Sequence, residues 1–382
     1  MGRTFKYDFD KVERTFNEWK KAKKVRKPGL GTRIQDFERV INYAERQNVD
    51  ALRKFIFSDI DKPIIFFGAG GGYNAALYAA MLCNLNGRIG IAKTPMMVNQ
   101  MSRELMQKCK FVVISAKGRT VDLLTTSLRL LSIIEPQNFA AITLQGADDK
   151  KNLLCKTLKE EYPSATILGF DGKVESQDPK KPYNALFSHD EFVGTKKHVA
   201  FCVLLYRCFY DDMNLADKLI DEDEIPYVAD LQGRSLADIK YWNLLHGGLG
   251  EAAANDLEVR LSEGSLAFPM MTDFKNFTHG RHAFYNAHQS GTAIITFETA
   301  QDTRLAEEII TRYHTYSKME KIPTIRIKSD KSTPLATIEL LIKSMYFALD
   351  LATELGVNIS MPDAPKLGVW SMDYLPFMDY QD

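Results

Sequence analysis

The chain has 382 residues and a mass of 43.4 kDa, enough for two or three domains with cores of their own. Apolar residues make up 45% and charged residues 26%, and 49 Lys and Arg balance 49 Asp and Glu; this excludes intrinsic disorder and argues against a surface built for nucleic acid. Five scattered cysteines without a C-x-x-C spacing exclude a disulfide framework and a thiolate zinc site, so a reducing, cytoplasmic setting is expected. The start, MGRTFKYDFD, has no apolar stretch and carries Lys6 where a myristoylation signal needs Ser or Thr. The longest apolar run, Val199 to Tyr206, is far shorter than the roughly 18 residues of a membrane span, so no membrane association is expected.

In chain order, residues 1–60 are predicted to be helical, with Phe9, Val12, Phe16 and Trp19 at helical spacing. The basic stretch Lys20 to Lys27 reads as a solvated face and Pro28-Gly29 as a breaker. From Lys62 the pattern changes to short apolar runs (PIIFFG, RIGIA, FVVIS, FAAITL, ATILGF) separated by helix-length segments. Such runs predict five strands of a parallel sheet covered on both faces. A helix over 195–211 follows, then an acidic passage, DEDEIPYVADLQGRS, that suits a domain boundary. The same plan returns afterwards: the strand YWNLLHGG, a helix to Glu263, a loop ending in DFKNFTHGRH, the strand TAIITFE, a helix through Arg312, the strand PTIRIKS, and a helix from Leu335 to Gly356. The chain therefore reads as an α/β protein with an internal duplication: an N-terminal extension (1–34), a first domain (35–215) and a second (216–382).

Two turns carry chemistry. IIFFGAGGGYNAALYAA places Gly68, Gly70, Gly71 and Gly72 between a strand and a helix, where freed amides and the helix dipole seat an anion. A tight structural turn explains the same residues. The third glycine of a dinucleotide fingerprint is missing, and Lys93 stands where a ribose-binding acid would end the second strand, so NAD is not expected. In FVVISAKGRTVDLLTTS, Ser115, Gly118 and Thr120, with Lys117 and Arg119 between them, form a second candidate phosphate cradle, unless Thr120 is merely an N-cap and the cations are solvated.

Together these turns resemble the SIS (sugar isomerase) domain, whose usual strings are G-x-G-[ST]-S and S-x-S-G-x-T-x-D. The resemblance covers most of residues 35–370 as a tandem pair, similar to the isomerase half of glucosamine-fructose-6-phosphate aminotransferase and to fructosamine-6-phosphate deglycases. It implies two tandem Rossmann-like, SIS-type, three-layer αβα domains with parallel sheets. It also implies phosphate binding by Gly70, Gly71, Gly72, Ser115, Lys117, Gly118 and Thr120. Two phosphate-binding serines of the family are replaced here, by Gly72 and Lys117, and Lys117 offers a charged donor instead.

The second half resembles the family again. Aligned without a gap, LLHGGLGEAAANDLEVRLSEGS puts Asp256 and Glu263 on family glutamates and Arg260 on a lysine beside the chemistry, and DFKNFTHGRH puts His279 on the family histidine. The spacing of 16 residues between Glu263 and His279 matches the family. A carboxylate that moves a proton and an imidazole that assists ring opening suit aldose–ketose isomerisation. Arg260 and Glu263, three apart on a helix, share a face where the cation can hold and orient the carboxylate, with a surface ion pair as the alternative. His246, His279, His282 and His288 lack metal-site spacing, and neither a metal nor any other cofactor is expected. In the tail, Asp363, Pro365 and Lys366 fit the family pattern, but Trp370 stands in place of its Schiff-base lysine, which argues against amine transfer. Gly2 in place of a nucleophilic cysteine argues against glutamine-dependent chemistry. The expectation is a phosphosugar isomerase or deglycase acting on a ketose or amino-sugar phosphate, with Glu263, His279 and Arg260 catalytic. The partners expected are a small phosphosugar and a second copy of the chain, with Phe284, Tyr285 and Tyr313 as contact candidates. The alternatives are a non-catalytic phosphosugar-binding regulator and a nucleotide-sugar or nucleoside-phosphate enzyme.

Overall fold

Five apolar runs of the first half form the strands of one sheet in the computed structural model. The structure describes residues 34, 36–171, 173–175, 183–185, 196–221, 224–288, 291–316, 321–357 and 359. The helical pattern through Trp19, the stretch Lys20 to Lys27, and the tail with Asp363, Pro365, Lys366 and Trp370 lie outside these residues, as do the side chains of Tyr285 and Tyr313.

The described chain opens with α1 (Phe37–Glu45) and α2 (Asp50–Phe57). There follow β1 (Ile64–Gly68), α3 (Gly71–Leu85), β2 (Gly90–Lys93), α4 (Pro95–Asn99), α5 (Arg103–Gln107), β3 (Lys110–Ser115), α6 (Val121–Leu131), β4 (Phe139–Thr143), α7 (Leu153–Glu161) and β5 (Thr166–Gly169). All pairings are parallel, in the order β2-β1-β3-β4-β5. The central strands β1, β3 and β4 are buried along their whole length, which is why their sequences are continuous apolar runs rather than alternating ones. Ile65, Phe67, Phe111, Val113, Phe139 and Ala141 join Leu123 and Leu130 of α6 and Leu154 of α7 in one apolar layer, while α3 packs on β1 and β2. The caps are local in origin: Thr94 precedes Pro95 and accepts from the Met97 amide, and Ser102 accepts from that of Leu105. A short antiparallel pair, β6 (Lys173–Glu175) and β7 (Tyr183–Ala185), follows.

After α8 (Lys196–Arg207) and α9 (Leu215–Leu219) come β8 (Val228–Asp230), β9 (Tyr241–His246), α10 (Glu251–Glu263), β10 (Phe268–Asp273), α11 (Phe274–Asn276), α12 (Ala283–Ala287), β11 (Thr292–Glu298), α13 (Thr303–Tyr316), β12 (Thr324–Lys328) and α14 (Leu335–Glu354). The second sheet has the order β10-β9-β11-β12-β8, with β8 antiparallel to β12 and the others parallel. Its first four strands repeat the order of the first sheet, as the duplicated sequence pattern implies. Two strands of this sheet escape the sequence reading, as does the β6–β7 pair. β10 lies in a stretch read as loop, and its Pro269 is tolerable because β10 is an edge strand. The three residues of β8 are all exposed and belong to the acidic passage read as a boundary. No described helix is long and apolar enough to cross a membrane.

The chain divides into two compact units. The N-terminal unit holds residues 40–189 and 200–213; the C-terminal unit holds 214–363 together with 190–199 and the residues up to 39. The first turn of α8 therefore belongs with the C-terminal unit.

Candidate functional site

In the N-terminal unit the strand order reverses between β1 and β3, and the loops that follow those two strands flank the crevice where open α/β sheets take ligands. They are the two loops marked by the sequence. Gly68 pairs in register with Ile114, so the loops lie side by side. Gly68 and Gly72 are needed for close approach: a Cβ at Gly68 would lie 2.3 Å from the Gly72 carbonyl carbon, and one at Gly72 would lie 2.6 Å from the Ile114 carbonyl oxygen. Gly70 turns the chain at φ +52°. The Gly72 and Tyr73 amides close the turn onto Ala69 and Gly70 carbonyls, whereas those of Gly70 and Gly71 donate to no described residue. Two free amides at the start of a fifteen-residue helix are a donor set for an anion.

The second loop is braced from within. Ser115 is buried, and its Oγ accepts from the Gly118 amide at 3.1 Å. Gly118 has φ +61°, and a Cβ there would overlap the side chain of Asn152. Asn152 is fully buried, donates to Thr143 Oγ1 and the Gln145 carbonyl at 2.9 Å each, and caps α7 through the Cys155 amide. The Leu154 amide returns to the Gly118 carbonyl at 2.8 Å. Sequence reasoning missed Asn152; its place just ahead of an apolar helical stretch was the available signal. Thr120 occupies the N-cap position of α6, but its hydroxyl makes no capping bond, so it is open to a ligand. Lys117 is half-buried and Arg119 exposed.

The corresponding crevice of the C-terminal unit is different. A Cβ at Gly247, after β9, would lie 2.1 Å from Asp302 Oδ1, after β11. Asp302 Oδ2 accepts from Thr299 Oγ1 at 2.7 Å and from the Thr299 amide at 3.3 Å. A carboxylate thus stands beside the Gly247 turn of the C-terminal unit, where the N-terminal unit presents the Gly70 and Gly71 amides. His246 ends β9 as expected, with Nδ1 3.0 Å from the Gly247 carbonyl.

Helix α10 carries the acid–base candidates. Asp256 and Arg260 are 3% and 1% exposed, and Arg260 binds Asp256 through Nε to Oδ2 and through Nη2 to Oδ1 at 3.1 Å. His198, from the first turn of α8, completes the group with Nδ1 2.7 Å from Asp256 Oδ1. Burial alone would raise the Asp256 pKa, but Arg260 and His198 outweigh it and hold it at about 2. The guanidinium expected to hold Glu263 is thus spent on Asp256, because an i,i+4 partner on the buried face offers it a desolvated carboxylate. Glu263 itself has an exposed side chain at the end of α10. Partial desolvation nonetheless raises its carboxyl pKa; Arg260 works against this, and Asp256 and Glu258 add to it.

His279 lies in a kinked turn over Phe277–Arg281 after β10, exposed, with Gly280 at φ +113°. The structure does not bring it to Glu263. α10 descends from the carboxyl ends of the strands and Glu263 ends it at their amino ends, where Phe268 opens β10 opposite Tyr241. β10 then climbs six residues, roughly 20 Å, before the turn that bears His279. The interval of 16 residues thus spans the height of the sheet, and the two residues stand at opposite ends of one unit.

No family profile and no characterised protein matches the amino-acid sequence. Solved structures do match. The tagatose-6-phosphate ketose/aldose isomerase of Escherichia coli superposes with a TM-score of 0.65 at 12% identity, covering 88% of this chain and 95% of its own. The C-terminal domain of glucosamine-fructose-6-phosphate aminotransferase from Francisella tularensis gives 0.60 at 13% identity, with 89% and 99% covered. Glucosamine-6-phosphate deaminase from Thermotoga maritima gives 0.60 at 11%, with 87% and 97% covered. At such low identity the agreement concerns the fold, and it spans both halves of the chain. The chain has the tandem SIS-type fold, a duplicated Rossmann-like αβα arrangement.

Proposed function

We propose that the chain is a sugar-phosphate isomerase or deglycase whose N-terminal unit takes the phosphate. The observation that carries this reading is the crevice between β1 and β3, where the loop with the Gly70 and Gly71 amides at the start of α3 lies beside the loop that bears Lys117 and Thr120 at the start of α6. The matched structures act on ketose, aldose or amino-sugar phosphates by their names, which supports the same substrate class here. Glu263 performs the chemistry: its carboxylate takes the proton from C2 of the open-chain aldose, leaving an enediolate whose O2 hydroxyl proton passes to O1, and returns the proton it took to C1 to give the ketose. No electron acceptor is needed. Partial desolvation raises the Glu263 carboxyl above the usual carboxylate range, which makes it a stronger base toward a carbon-bound proton. His279 assists ring opening, and because it stands at the far end of the unit from Glu263, one site uses the two residues from two copies of the chain.

The test is proton NMR in deuterated water on the sugar phosphate that most raises the melting temperature in a screen. The wild type incorporates deuterium at C1 or C2. Glu263→Gln keeps binding and loses about 10²- to 10⁴-fold in exchange. Tight binding without exchange by the wild type removes the isomerase reading and leaves the phosphosugar sensor.

A further inference from the structure

We propose that the β10 side of the C-terminal unit is the face on which a second copy of this chain docks. The two copies are related by a two-fold axis perpendicular to β10, so that the turn bearing His279 in each lies against the Glu263 end of the other. This rests on the reading that one site uses both residues.

The direction of docking follows from the ends of the strand. Glu263 closes α10 five residues before Phe268 opens β10, and the turn over Phe277–Arg281 follows the far end of β10. An axis parallel to β10 brings like ends together and leaves each Glu263 without an imidazole. An axis perpendicular to the strand, crossing it near Met270 and Met271, reverses its direction. Each carboxylate then meets a turn, and the contact is made twice, as in an isologous interface.

The surface fits that contact. At the amino end of the strands Phe268 is 65% exposed and Tyr241 36%, and their rings meet edge-on with centroids 6.2 Å apart. Phe284 and His288 extend this cluster, with rings 5.7 and 6.4 Å from that of Tyr241. Neighbouring aromatic rings left largely to water have the composition of an interface centre rather than of a solvated edge. At the other end, Lys275, His279 and Arg281 are all exposed, and the segment FKNFTHGRH contains no acid. The amino end presents the exposed Glu263 and the half-buried Glu258, beside Lys240. Opposite ends therefore complement each other in charge, whereas two such basic turns set together repel.

The copies meet through side chains and not by joining their sheets. The Phe268 amide bonds to the Lys240 carbonyl, so Phe268, Met270 and Thr272 turn their main-chain groups toward β9, and Pro269, Met271 and Asp273 turn theirs outward. That outer row is blunted. Pro269 has no N–H, Arg281 Nη1 covers the Met271 carbonyl at 3.2 Å, and Asp273 passes into the cap of α11. An edge treated in this way does not extend by strand addition. The aromatic end and the basic turn are left to hold the partner.

The experiment measures distances between copies of the full chain. The native cysteines are buried, so spin labels are carried by Ser265→Cys, near Glu263, or by Thr278→Cys, beside His279. Pulsed electron spin resonance on dimers that combine one chain of each kind is expected to give a distance shorter than either same-site distance. A Thr278→Cys same-site distance that is the shortest of the three, or no distance between chains, overturns the proposal. Phe268→Ala is expected to weaken dimer affinity in sedimentation by roughly 30-fold, the size of a hot-spot truncation; because the ring is exposed, folding is not at stake, and an unchanged affinity overturns the face. Mixed dimers of Glu263→Gln and His279→Ala contain one native pair and are expected to restore the deuterium exchange that neither variant shows alone. Failure to restore it, with an active wild type, overturns the reversed pairing. If the labels report that pairing and no sugar phosphate undergoes exchange, the isomerase reading fails and the docking face stands.

Discussion

At Gly72 the serine of the SIS-type string G-x-G-[ST]-S has no room, because a Cβ would meet the Ile114 carbonyl oxygen, a backbone atom fixed by the β1–β3 pairing. Gly72→Ser is therefore expected to destabilise the chain by about 1–3 kcal/mol, the usual cost of overpacking, and to leave sugar-phosphate affinity no better. Thermal unfolding with and without ligand checks both. Gly118 is fixed by another neighbour, Asn152, which lies 34 residues on and whose own bonds reach Thr143 and Gln145. The loop glycines were legible in the sequence. The reasons for two of them were not, since each depends on an atom from a different strand or helix.

Among the elements, the tie between α8 and α10 shows where helical spacing misleads. Arg260 and Glu263 share a face by periodicity, but burial selects Asp256, and a histidine from another helix joins it. Because Asp256 has a folded-state pKa of about 2, below the usual value near 3.9, its stabilisation is fully present above about pH 4 and is lost as pH falls toward 2. Asp256→Asn leaves Arg260 buried without its carboxylate, at a cost on the order of 3–5 kcal/mol at neutral pH. Melting temperatures taken between pH 6 and 2 are expected to show the wild type losing its advantage across that acid window; a constant gap between the two proteins refutes the assignment. The strand β10 was missed for a related reason, since Pro269 reads as a breaker unless the strand is known to lie at an edge.

For the whole molecule, the separation of Glu263 from His279 has an outcome for assembly. If one site needs both groups, a single C-terminal unit supplies only one of them to it, and the chain is expected to work as a homodimer or a larger even oligomer. Light scattering at micromolar concentration is expected to give at least twice the chain mass of 43.4 kDa, and a monomer overturns this. Of the contact candidates, Phe284 is already engaged within its own chain, against Tyr241 and His288, at ring distances of 5.7 and 4.4 Å.

The sequence alone determined the class of fold, the duplication and the position of the first crevice. Strands buried on both faces must be apolar throughout, helices must repeat near 3.6 residues, and a turn pressed against a neighbouring strand must be glycine; these are local demands, written in adjacent residues. Tertiary structure decided that Asp302 packs against Gly247, that β8 runs antiparallel, that His198 meets Asp256 across 58 residues, and that Glu263 and His279 part to opposite ends of a sheet. Each of these depends on where a distant segment passes, and the periodicity of a chain records which face is buried but not which neighbour buries it.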